Sequence, residues 1–131
     1  MDKPTSGTLV SSALLALAPA ASAGTSQCLN GISQRQNELA QLHHESVNGA
    51  SGPAMASAAV DLSNWVANTQ ATCPVAAEDA FWVARHALDE AADLHVQWLR
   101  EAAMGAEERA RSALDEAWSV SASNDWLNSL F

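Results

Sequence analysis

Apolar residues recur along this chain at helical rather than strand spacing, in four blocks. In the first, from about Ser26 to Val47, the residues Cys28, Leu29, Ile32, Leu39 and Leu42 fall on one stripe, with Val47 at its edge and Thr25 or Ser26 placed to cap the start. Asn48-Gly49-Ala50-Ser51-Gly52-Pro53 breaks the pattern and predicts a loop, with Pro53 as the first residue of a second helix. That helix, to about Thr72, aligns Met55, Ala59, Leu62, Val66, Thr69 and Cys73, with Trp65 beside the stripe. Pro74 closes it, because a residue before proline is pushed out of the helical region.

A third helix is predicted from Pro74 to about Met104. Phe81, Ala84, Leu88, Ala91, Ala92, His95, Leu99 and Ala102 share its face, flanked by Trp98, and Gly105 supplies the break. The fourth, from about Ala106 to Val120, has a stripe of Ala106, Ala110, Ala113, Leu114 and Ala117, small enough for close packing. Ser123-Asn124-Asp125 then predicts a cap for a short C-terminal helical turn carrying Trp126, Leu127, Leu130 and Phe131. The expected fold class is all-α, an up-and-down four-helix bundle.

Residues 1–23 have a different pattern and are expected to be a signal peptide. A polar start with Lys3 leads to an apolar run from Leu9 to Ala18, then Pro19 and the small residues Ala21-Ser22-Ala23, with cleavage expected after Ala23. The run is about half the roughly 20 residues that a permanent membrane anchor needs. Residues 24–131 then form a single helical-bundle domain, exported to the periplasm or the extracellular space.

In an exported chain an even cysteine count is read as a bridge. Cys28 and Cys73 have their midpoint near residue 50, in the first interhelical loop, so an antiparallel hairpin brings them level on the shared apolar seam. One disulfide joining helices 1 and 2 is expected.

The chain has 131 residues, 15 acidic against six basic, and a formal net charge of -9. That balance argues against nucleic acid and anionic lipid, which need clustered Lys and Arg. It suits a protein partner of basic character; self-association into a homo-oligomer is left open.

Candidate chemistry is sparse. Counting residues outward from the loops puts His43, Met55 and His95 near one layer on inward stripes, where two imidazoles and a thioether have the donor set for copper or for axial ligation of haem. His86, Asp89, Glu90 and Asp93 have spacings that can chelate zinc, but the same residues make an ordinary solvated helix face. No nucleophile elbow, phosphate loop, zinc-protease helix or calcium loop is present. Trp82 and Trp118, at the polar edges of their helices, and Trp126 with Phe131 near the C-terminus, are the candidate partner-binding residues. The expected function is therefore a non-enzymatic secreted or periplasmic interaction module of inhibitor, immunity, chaperone or adaptor type, with no cofactor. The alternative is a periplasmic copper or haem protein built on His43, Met55 and His95.

Overall fold

The computed structural model describes the backbone of residues 17–130 and the side chains of residues 26–124. Four helices pack together: α1 (Leu17–Val47), α2 (Pro53–Gln70), α3 (Glu78–Val96) and α4 (Arg100–Leu130), with a 3-10 turn at Val75–Ala77. They form a ring, α1 against α2 and α4, and α3 against α2 and α4. Among the described residues no helix is long and apolar enough to cross a membrane.

The predicted stripes make the core. Cys28, Ile32, Leu39 and Leu42 of α1 are buried, as are Met55, Ala59, Leu62, Val66 and Thr69 of α2 and the whole alanine and leucine stripe of α4. Phe81 and Leu88 of α3 lie fully enclosed among them. Each large side chain removed from water contributes about 1.5–3 kcal/mol. The many alanines bring the helix backbones close without supplying much area themselves. Cys28 and Cys73 form the expected disulfide, with Cα atoms 4.9 Å apart.

α3 begins at Glu78 rather than Pro74, after the 3-10 turn at Val75–Ala77, and three further boundaries differ from expectation. The break assigned to Gly105 lies instead at Gln97-Trp98-Leu99, and α4 runs straight through Gly105, an exposed position at which a Cβ would meet open space. A glycine inside a helix costs only about 1 kcal/mol, which packing on either side overrides. The actual stop is a Schellman motif: the Trp98 N–H donates to the His95 carbonyl and the Leu99 N–H to the Leu94 carbonyl, both at 2.9 Å. Trp98 takes the left-handed conformation, φ 61°, that glycine normally fills there. As a result Leu99 and Ala102, expected in the core, are exposed.

The second difference is at the C-terminus. Ser123-Asn124-Asp125 does not restart the chain; α4 continues without interruption to Leu130, so the separate terminal turn is absent. The third is at the other end, where α1 is helical from Leu17 and the Thr25 or Ser26 cap is not used. Ala20, Ala21 and Ala23 favour helix there. The first sixteen residues of the expected signal peptide lie outside the described residues.

Candidate functional site

Position by position, the inward stripe of α1 advances by alternating steps of four and three residues: Cys28, Ile32, Arg35, Leu39, Leu42, Ser46. Two polar residues therefore occupy core positions. The same happens on α4, where Glu107 stands between Ala106 and Ala110 and is 1% exposed. A carboxylate cannot stay in such a place without partners, because an unpaired buried charge costs several kcal/mol.

Its partners come from two other helices. His43 of α1 places Nδ1 2.8 Å from Glu107 Oε1, while His95 of α3 places Nε2 2.8 Å from Oε2. The Ser46 hydroxyl donates to Oε2 at 2.8 Å. On the far side of His95, Nδ1 lies 2.9 Å from the hydroxyl of Ser51, in the α1–α2 loop. One nitrogen of each imidazole and the Ser46 hydroxyl are thus directed at the two Glu107 carboxylate oxygens, and the Ser51 hydroxyl hydrogen-bonds the other nitrogen of His95. Glu107 thus ties α1, α3 and α4 together and, through His95, holds the α1–α2 loop.

Charged groups at the rim extend this network. Arg100 donates through Nη1 to the Ser46 carbonyl at 2.9 Å, satisfying a backbone acceptor at the end of α1. His43 also reaches outward, with Nε2 3.4 Å from a Glu108 carboxylate oxygen. The hydrogen bond from Arg111 holds the Glu108 carboxyl below its ordinary range, and Glu108 in turn raises the Arg111 guanidinium. A groove of about 290 Å³ between α1 and α4 opens over His43, Glu107 and Glu108, floored by Leu39 and Val47.

Above this network sits Trp98. Its ring rests on the backbone of Gly52, whose φ of 93° and whose lack of a Cβ are both required, since any side chain there would overlap the indole. Trp98 is nevertheless 66% exposed, and Val47, Val96 and Leu99 around the same helix ends are about half exposed. A bulky residue in the left-handed region costs about 1–2 kcal/mol, a strain that accumulates at functional positions.

The sequence-selected residues fare differently from one another. His43 and His95 do converge, on Glu107, whereas Met55 is buried in the apolar cluster at the start of α2. Among the described residues no group of three or more His, Cys, Asp or Glu is arranged to hold a metal ion. Trp82 and Trp118 are exposed, Trp82 stacking on His86 with ring centroids 3.8 Å apart. The Trp126 side chain and Phe131 lie outside the described residues. His86, Asp89, Glu90 and Asp93 are all exposed, with Glu90 paired to Arg109.

Ser46, Ser51, Trp98, Arg100 and Glu107 escaped the sequence reading. Glu107 carried a detectable signal, a carboxylate in an otherwise alanine stripe; Trp98 carried none, because nothing local distinguishes it from a mid-helix residue. Ser51, His95 and Glu107 stand in the order hydroxyl, imidazole, carboxylate, but the imidazole has no exposed surface, and the chain of bonds secures a loop. No family model matches the chain, and neither the curated proteins nor the solved structures compared with it provide a match.

Proposed function

We propose that this chain is an exported protein-interaction module whose contact face is the end of the bundle formed by the α1–α2 and α3–α4 connections, with Trp98 as its anchor. The single observation that carries the reading is the state of Trp98, held in a costly backbone conformation over Gly52 while its ring stays two-thirds exposed. A purely structural C-terminal cap would be better served by glycine. Tryptophan is also the residue most enriched at the energetic centres of interfaces.

Support for the compartment comes from the disulfide and from the leader-like pattern of residues 1–23. The formal charge of -9 favours a partner with a basic surface, since complementary charge speeds encounter and suppresses wrong partners.

The test uses Trp98→Gly, which keeps the left-handed turn and removes only the ring. Tagged protein is incubated with envelope extract and culture fluid of the source organism, and retained proteins are compared by quantitative mass spectrometry. A basic protein is expected to be retained by the unaltered chain and by Trp82→Ala, and lost at least tenfold with Trp98→Gly. Equal retention by Trp98→Gly would remove the basis of the reading.

A further inference from the structure

At the disulfide end of the bundle, away from Trp98, α1 and α2 come into unusually close contact. A Cβ on Gly31 would lie 2.9 Å from the Thr69 Cγ2 methyl, so the Thr69 side chain packs directly onto the α1 backbone at Gly31. Outward of this floor runs a groove of about 400 Å³, within the span of small-molecule sites, which are roughly 300–1,000 Å³.

Its walls are chemically consistent. Gln27, Asn30 and Gln34 line the α1 side, and Trp65, Asn68 and Thr72 the α2 side. On α1 the steps are three and then four residues, a single row about 10 Å long, and opposite it Trp65 and Asn68 of α2 lead to Thr72 in the turn beyond that helix. The lining contains no carboxylate, although the chain as a whole carries a formal charge of -9.

Arg35 supplies the one charge in the groove. Its side chain is only 8% exposed, and its guanidinium lies over the Trp65 ring, 5.4 Å from the centroid. Glu38 comes within 3.0 Å of Nε but off the N–H direction, leaving that buried nitrogen without a hydrogen bond. Glu38 beside the guanidinium offsets its charge, which argues against an anion and for a polar, uncharged ligand.

The groups present fit one chemistry closely. A carboxamide donates and accepts at once, and so does each hydroxyl of a sugar, so rows of Asn, Gln and Thr can satisfy neighbouring hydroxyls in pairs. Trp65, 52% exposed, offers a flat apolar surface for the C–H face of a ring. An extended peptide would need a continuous backbone edge, and two helix surfaces do not provide one. We infer that the α1–α2 groove is a binding site for a neutral oligosaccharide about two sugar rings long, stacked on Trp65 and hydrogen-bonded by Asn30, Gln34 and Asn68. This site is independent of the Trp98 face.

The experiment is a titration of the full chain, disulfide intact, followed by side-chain amide and indole signals in proton–nitrogen correlation spectra. The probes are maltotriose, cellotriose and tri-N-acetylchitotriose. One of them is expected to shift the amide signals of Asn30, Gln34 and Asn68 and the Trp65 indole, saturating with a Kd below about 1 mM, while the Trp98 indole stays still. Asn68→Leu and Gln34→Leu change exposed side chains and leave the fold intact; each is expected to weaken binding at least tenfold. Trp65→Ala also unseats Arg35, so the leucine variants decide. The inference is overturned if no saccharide moves these signals, if the leucine variants bind as well as the unaltered chain, or if sodium acetate or an extended hexapeptide produces the same shifts.

Discussion

The two ends of this bundle are held together by different physics. At one end a covalent bridge joins Cys28 to Cys73 and α1 touches α2 at Gly31 and Thr69, with neutral polar side chains facing solvent. At the other end no covalent link exists among the described residues; a single buried carboxylate, Glu107, gathers two imidazoles and a hydroxyl from α1 and α3, and a strained Trp98 lies on top. A disulfide stabilises largely by restricting the unfolded chain and demands little of its surroundings. A buried ionic network stabilises only if every member is in place, so it fixes geometry more than it adds free energy. The end that must present one defined surface is the end built on the network.

Removing each device separately tests that contrast. Replacing both cysteines, Cys28→Ser with Cys73→Ser, has the largest expected effect: the bridge spans a sequence separation of 45, and its loss costs about 4 kcal/mol in the chain-entropy estimate, read as a lower urea midpoint. Glu107→Ala comes next, at about 3 kcal/mol, because the buried His95, the partly buried His43 and Ser46 lose their acceptor together. The two losses are expected to add in the triple variant, since the sites lie at opposite ends of the bundle.

Smaller effects probe the Trp98 contact. Gly52→Ala combines a forbidden φ with overlap on the indole and is expected to cost about 2 kcal/mol. Gly49→Ala, also at positive φ but with open space around it, should cost about 1 kcal/mol. Trp98→Gly runs the other way, stabilising the fold by about 1 kcal/mol through release of the left-handed strain, seen as a higher Tm. A lower Tm for that variant would mean that the indole is needed for packing.

The smallest effect is electrostatic. Because Arg111 lowers the Glu108 carboxyl in the folded chain, their pairing contributes fully above the ordinary carboxylate range and is lost as pH falls through the lowered value. Both groups are exposed, so Arg111→Gln should barely change stability at neutral pH, and 1 M salt should erase what difference there is.

Much of the fold was legible because packing and periodicity agreed. The stripes of α1, α2 and α4 and the Cys28–Cys73 bridge follow from spacing alone, since period and loop position fix which residues face inward and at what height. The Trp98 break was not legible: Gly105 offers the stronger local signal, and only tertiary contact with Gly52 makes tryptophan tolerable at a glycine position. The network was half legible. Counting places His43, Met55 and His95 in one layer, but Met55 packs in the apolar cluster, and the residue that joins the two imidazoles is a glutamate disguised among alanines. Polar residues at core positions, Arg35, Ser46 and Glu107, break the binary pattern, and both candidate sites lie where the pattern breaks.

The most direct test of the central claim, that Glu107 is the hub of the network that organises the Trp98 end, is hydrogen exchange read by mass spectrometry on Glu107→Ala. Protection should fall across Ser46 to Gly52 and His95 to Met104 while the amides around Cys28 and Thr69 keep theirs. Loss spread evenly over all four helices, or unchanged protection at Ser46 and His95, would contradict it.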